Sequence, residues 1–170
     1  PQGTLFQHAL SEARFALKTS EICGILWHQG ESDSNNSLHK TYYEKLSLIM
    51  ETLRKELNLQ NVPLIIGELG DFLGKTGFGK YSTEFQEINE QLRRFAHEQQ
   101  NCYFVSAEGL TANPDGIHLN AVSQRKFGYR YFEAFSKKCH VLEPLSDENQ
   151  SLKINNNYSK TEQIYIHSMN

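Results

Sequence analysis

The stretch Ile22-Cys23-Gly24-Ile25-Leu26-Trp27-His28-Gln29-Gly30-Glu31-Ser32-Asp33 sets the reading of the whole chain. Its first six residues are a short apolar run of strand length. The next six are a polar turn around Gly30, rich in groups that bond, donate and ionise. Two further apolar runs follow the same plan, Val62-Pro63-Leu64-Ile65-Ile66-Gly67 and Cys102-Tyr103-Phe104-Val105. None of the three alternates polar with apolar residues, as expected of strands covered by helices on both faces.

Four helical periods separate and flank these runs. The spacing predicts helices over about 4–18, 42–57, 83–99 and 121–137. In the first, Leu5, Ala9, Leu10, Ala13 and Leu17 share one side; in the second, Tyr42, Leu46, Ile49, Leu53 and Leu57 form a stripe. Phe85, Ile88, Leu92 and Phe95 point inward from the third. Val122, Gly128, Tyr131, Phe132 and Phe135 are the packing candidates of the fourth. Thr41 with Glu44, and Thr83 with Gln86, have the spacing of capping boxes, and Asn120 suits an N-cap. The order α-β-α-β-α-β-α implies an α/β fold with a parallel sheet and right-handed crossovers. Ligands in such folds gather beyond the carboxyl ends of the strands, so the chemistry is expected in the turns that follow them.

Composition narrows the function classes. The chain has 170 residues, 38% hydrophobic and 11% aromatic, enough for one domain with a core. Its net charge of -3 offers no basic surface for nucleic acid. No apolar run approaches the ~20 residues of a membrane-spanning helix. Cys23, Cys102 and Cys139 are an odd number without a C-x-x-C pair, which argues against a disulfide scaffold and a structural zinc site. The seven histidines show no i, i+4 pair with a third ligand in view, so no metal and no cofactor is expected. Cys23 and Cys102 are expected in buried strands, and His8 and His97 in helices as surface or helix-packing residues. Residues 1–141 are read as the domain. Residues 142–170, rich in Ser, Asn, Lys and Gln, are read as a polar tail.

Three turns carry the candidate chemistry. After the first strand, Gln29 can aim a side-chain N–H at a developing oxyanion, with Glu31 beside it to hold the amide. An ordinary polar loop turning at Gly30 explains the same residues. After the third strand, Asn113-Pro114-Asp115-Gly116-Ile117-His118 is turn chemistry with an Asp three residues before a His. That spacing lets the carboxylate accept from Nδ1 and leaves Nε2 to act as a base on a nucleophile. After the second strand comes Gly67-Glu68-Leu69-Gly70-Asp71-Phe72-Leu73-Gly74-Lys75-Thr76. It ends like a phosphate loop, but Leu69 stands where the first glycine is needed. It is read instead as a mobile glycine-rich loop near the strand ends.

Taken in order, Trp27-His28-Gln29-Gly30-Glu31-Ser32-Asp33 and Asp115-Gly116-Ile117-His118-Leu119 resemble the SGNH-type carbohydrate esterases, in the branch of acetylxylan esterases and sialate O-acetylesterases. The resemblance runs from about Gly3 to Phe132, and Gly3-Thr4-Leu5 and Gly128-Tyr129-Arg130-Tyr131 also fit. It implies a three-layer α/β/α, flavodoxin-like fold. It implies that His118 and Asp115 are the triad base and acid, and that Gln29 helps form the oxyanion hole. Trp27 would lie at the mouth or base of the pocket, where Gly30, Glu31 and Asp33 shape and support the loop. The implied reaction removes an acetyl group from an acetylated carbohydrate through an acyl-serine, without metal or organic cofactor. The family's nucleophilic Ser sits in a G-x-S block ahead of the Trp block, and nothing before Trp27 matches it. Ser11, Ser20, Ser32 and Ser106 stand in other contexts. A glycine donating a further oxyanion N–H is also missing. The expectation is a fold lacking its first strands, completed by a missing N-terminal segment or by a second chain. The alternative is a catalytically inactive carbohydrate-binding or scaffold module derived from the same fold.

Overall fold

The computed structural model describes residues 3–137 and 141–142. Four helices, α1 (Thr4–Ala16), α2 (Tyr42–Leu57), α3 (Phe85–Glu98) and α4 (Ala121–Lys137), alternate with β1 (Ile25–Trp27), β2 (Leu64–Gly67) and β3 (Cys102–Val105), and β4 (Val141–Leu142) follows α4. The strands form one parallel sheet in the order β1-β2-β3-β4. The sequence reading stopped short of β4, because two residues carry no strand period. Residues 143–170 of the expected polar tail, and Cys139, lie outside the described residues.

The sheet sorts its side chains by the two-residue period of strands. Leu64 and Ile66 of β2, with Cys102 and Phe104 of β3, pack against α2 and α3 through Leu46, Met50, Ile88, Leu92 and Phe95. Ile65, Tyr103 and Val105 point the other way, onto Phe127, Tyr131 and Ala134 of α4. Helices therefore cover both faces, which gives the three-layer α/β/α architecture. β2 and β3 are buried throughout. β1 pairs with β2 alone among the described residues, and Leu26 on it is 63% exposed. Cys23 is exposed and precedes the strand, against the expectation of burial. Cys102 is buried at the start of β3, and burial pushes its thiol up to about 12.

Several local expectations change. On α1 the buried side is Phe6, Leu10, Ala13 and Leu17, while Leu5 is 86% exposed. Leu10, Ala13 and Leu17 pack as expected, while Leu5 and Ala9 are exposed and Phe6 takes the place of Leu5, because the helix rests on Leu57, Leu59 and Val62. On α4, Phe127 and Ala134 pack where Val122 and Phe132 were expected, and both of the latter are exposed. Neither Thr41 nor Thr83 closes a capping box. A 3-10 turn over Leu38–Thr41 leads into α2, and Thr41 Oγ1 donates back to the Leu38 carbonyl instead. α3 starts two residues after Thr83, with Glu84 at its N-cap. Asn120 does cap α4, with Oδ1 accepting from the Ser123 amide at 2.9 Å.

The difference in burial between Leu10 and Leu5 on α1 is measurable. Leu10→Ala is expected to lower the unfolding free energy by ~2–4 kcal/mol. Leu5→Ala is expected to stay within ~0.5 kcal/mol. Urea unfolding of the two variants checks this, and equal losses would return the stripe to Leu5.

Candidate active site

Because the strands run parallel, residues 28–34, 68–83 and 106–120 all emerge at the carboxyl edge of the sheet. The first and last carry the two motifs. The middle segment joins them.

The Asp115–His118 turn is closed by the Asn113 amide donating to the His118 carbonyl at 2.8 Å and by a single antiparallel bridge between Ala112 and Leu119. Ile117 packs against the α2/α3 core, so the next side chain faces outward. His118 is accordingly 76% exposed. Its Nδ1 lies 2.7 Å from Asp115 Oδ2. Asp115 Oδ1 accepts from the amides of Ile117 and His118, each at 3.0 Å. The three-residue spacing thus does two jobs: it wraps the turn on one carboxylate oxygen and orients the imidazole with the other. The His118 contact, followed by the two amides, pulls the Asp115 carboxyl down to about 2. With Nδ1 donating to a carboxylate, Nε2 is the nitrogen presented outward.

Gln29 is half-buried, and its Nε2 donates to Asp33 Oδ2 at 2.9 Å. Asp33, rather than the Glu31 expected from the sequence, holds the amide. Asp33 is closer because Glu31–Asp33 forms a 3-10 turn that brings residue 33 back over residue 29, while Lys45 lies 3.8 Å from its other oxygen. Glu31 contributes its carbonyl, which accepts from Ser82 Oγ at 3.1 Å. Gly30 is buried at φ 148°, and a Cβ there would press into Leu69 and Ile88. No side chain fits at that place.

Two tyrosines missed by the sequence reading fix the end of β1. Tyr42 Oη donates to the Gln29 carbonyl at 2.8 Å and accepts from Trp27 Nε1 at 3.1 Å. Tyr131 Oη donates to the Trp27 carbonyl at 2.8 Å. Burial holds both phenols far above their ordinary pKa, so they stay protonated donors. One comes from α2 and the other from α4, so the strand end is gripped from both faces. Both stand on apolar helix stripes, where their rings account for the pattern and the hydroxyl leaves no mark. Trp27 therefore lies at the base of the turn, its indole packed on the α2/α3 core. His28 is exposed, its ring edge-on to Phe127 at 5.2 Å between centroids.

The glycine-rich segment connects the two turns. Residues Gly77–Tyr81 form a 3-10 turn. The amides of Phe78 and Gly79 donate to the Asp115 carbonyl at 2.7 and 3.2 Å. A Cβ on Gly77 would collide with that carbonyl, one on Gly79 with the Gly116 carbonyl, and one on Gly116 with the Thr76 carbonyl. At the other end Ser82 Oγ bonds Glu31, and the Glu84 amide donates to the Ser34 carbonyl at 2.8 Å. The segment that follows the glycine-rich stretch 67–76 is bonded at both ends. The Gly74 amide donates to the Gly79 carbonyl at 2.8 Å and the Phe78 and Gly79 amides to the Asp115 carbonyl, so these three amides are taken up by the loop contact. Upstream, Asn89 bonds both the amide and the carbonyl of Leu69, at 2.8 and 2.9 Å. Glu68 Oε2 accepts from Ser106 Oγ and the Ala107 amide, both at 2.8 Å, and its other oxygen pairs with Arg93. Among the described residues no group of three His, Cys, Asp or Glu side chains could hold a metal, and no helix is long and apolar enough to cross a membrane.

The family model described as "carbohydrate esterase, sialic acid-specific acetylesterase" matches residues 1–137. The chain belongs to that family. A probable carbohydrate esterase of Arabidopsis thaliana is 28% identical over 117 residues, which are 68% of this chain and 40% of that protein. The X-ray structure of an Arabidopsis thaliana protein superposes with a TM-score of 0.69 at 22% identity, over 80% of this chain and 53% of that one. The likeness is one of fold. This chain spans about half of the solved structure, or less than half of the curated relative's length.

Two measurements follow from this geometry. Carbon-detected titration should place the Asp115 carboxyl at about 2, against an ordinary value of ~3.9. His118→Ala should raise it while the two amide bonds keep it below the ordinary value. Since the folded value is the lower one, this carboxylate adds stability above about pH 4 that is lost as the pH falls through about 2. Tyr42→Phe strands the Trp27 N–H and the Gln29 carbonyl together. It is expected to cost ~1–3 kcal/mol in thermal or urea unfolding, where a surface Tyr→Phe change costs nothing measurable.

Proposed function

We propose that this chain carries the base, the acid and part of the oxyanion hole of a serine-type esterase that removes acetyl groups from sugars, acetylated sialic acid being the substrate favoured by the family's description. The observation that supports it most directly is the exposed His118 imidazole held at Nδ1 by a carboxylate that stays ionised across the physiological range. In this mechanism Nε2 takes the proton of a serine hydroxyl as its oxygen attacks the acetyl carbonyl. The tetrahedral oxyanion receives the Gln29 N–H that is not engaged by Asp33. The imidazolium then protonates the departing sugar oxygen. Water, activated by the same Nε2, releases acetate and restores the serine. Trp27, Gly30 and Asp33 act by holding Gln29; Glu31 acts through the backbone that bonds Ser82.

The serine comes from outside these 170 residues, supplied by further sequence of the same protein or by a second chain. Two observations favour this reading: no Gly-x-Ser block precedes Trp27, and among the described residues β1 is an edge strand with Leu26 exposed beside the Gln29 turn.

The test is acetate release from O-acetylated sialic acid by the full natural protein. His118→Ala is expected to lower kcat by ~10³-fold or more. Gln29→Ala should lower it by ~10²–10³-fold with little change in KM. A silent full-length protein that still binds the acetylated sugar would instead support the inactive binding module. Turnover untouched by His118→Ala would discard the assignment.

A further inference from the structure

Ser34 closes the carboxamide turn and is wholly buried, at 0% exposure. Its Oγ donates to the Gly30 carbonyl at 2.7 Å. The Asp33 amide donates to the same carbonyl at 3.0 Å. One peptide earlier, the Gln29 carbonyl accepts from Tyr42 Oη at 2.8 Å. The two peptide planes on either side of Gly30 are thus each held by a hydroxyl, one from within the turn and one from α2.

Gly30 needs that restraint. Its φ of 148° and ψ of -10° belong to a residue without Cβ, which can turn its following peptide with little steric opposition. Contact with Ile88 and Leu69 seats the residue, but apolar contact does not direct a carbonyl; hydrogen bonds do. The direction of this carbonyl matters because Asp33 hangs on it. The Asp33 amide bonds the Gly30 carbonyl, and the Asp33 carboxylate takes Gln29 Nε2 at 2.9 Å. Rotation of the 30–31 peptide would carry Asp33 away from residue 29 and release the carboxamide. Ser34 is itself fastened to the start of α3. Its carbonyl accepts from the Glu84 amide, and the Glu84 carboxylate accepts from the Ser37 amide, both at 2.8 Å. The hydroxyl therefore ties Gly30 to a helix that belongs to the core.

We propose that Ser34 is a positioning residue for the oxyanion donor. By bonding the Gly30 carbonyl it keeps Asp33 over Gln29, and so keeps the second Gln29 N–H where charge develops. It touches no reacting atom. The inference rests on the role given to Gln29 in the reaction proposed above. Ser34→Ala leaves the Gly30 carbonyl bonded to the Asp33 amide, so no buried acceptor is stranded and the fold is expected to persist.

The test uses the full natural protein. Ser34→Ala is expected to lower kcat for acetate release from O-acetylated sialic acid by ~10–100-fold, as for a donor misplaced by ~1 Å, with KM little changed. Ser47→Ala removes the same kind of bond within α2, a serine hydroxyl donating to the carbonyl four residues earlier at 2.9 Å, and should leave kcat alone. In a Gln29→Ala background, Ser34→Ala should cost nothing further, because it acts through Gln29. A multiplied loss there, or an unchanged kcat in Ser34→Ala alone, would overturn the proposal. Hydrogen exchange of the Gln29 side-chain amide, followed by NMR, separates this inference from the assigned chemistry. Ser34→Ala, like Asp33→Ala, should quicken it by about tenfold. Exchange left unchanged by Ser34→Ala would overturn the positioning role even in an active enzyme. Quickened exchange in a protein that releases no acetate would uphold Ser34 as the support of Gln29 and count against the esterase reading alone.

Discussion

Backbone lies on backbone where the glycine-rich segment meets the Asp115–His118 turn, and the rest of the site depends on that contact. Gly77, Gly79 and Gly116 let two loops from neighbouring strands approach so closely that a methyl group at any of the three would collide with a carbonyl. The amides of Phe78 and Gly79 then reach the Asp115 carbonyl. The contact costs conformational entropy, since glycine is the residue that loses most freedom on folding. In return the turn that orients the imidazole is held by a neighbouring loop as well as by its own hydrogen bonds. The same segment is bonded to Glu31 and Ser34 at its far end. One piece of chain thus joins the carboxamide turn to the imidazole turn.

The two turns are anchored by different means. The imidazole turn is short and local, built on Asp115 and closed by its own backbone. The carboxamide turn has little local structure and relies on distant groups. Tyr42 and Tyr131 grip carbonyls two residues apart, and Asp33 folds back to take the amide. Gly30 is seated on Ile88 and Leu69, and Leu69 is in turn fixed by the paired bonds of Asn89. The difference follows from position. β1 has one strand neighbour among the described residues, so its end must be steadied by helices above and below, whereas the turn after β3 leaves a strand supported on both sides.

The parallel order of the strands was legible because buried parallel strands write continuous apolar runs, and the helices between them keep a 3.6-residue period. The Asp115–His118 pair was legible because its geometry lies within four residues. What escaped was of another kind. The first member of the α1 stripe was misplaced because Leu5 and Phe6 are both apolar, and only the neighbour the helix packs on decides between them. The hydroxyls of Tyr42 and Tyr131 were invisible within stripes that their rings already explained. Asp33 and Glu31 are both carboxylates beside Gln29, and the 3-10 turn chooses between them. β4 has two residues, too few to show a period.

The sequence by itself determined the layered α/β plan, the edge of the sheet at which the Gln29 and His118 turns emerge, and the local bond between Asp115 and His118, because each rests on spacings of a few residues along the chain. Only the tertiary structure decided which carboxylate holds Gln29, that two tyrosines grip the end of β1, and that Gly77 and Gly79 lie against the Asp115–Gly116 backbone. Those outcomes depend on which distant backbone arrives beside each residue, and linear spacing does not record close approach in space.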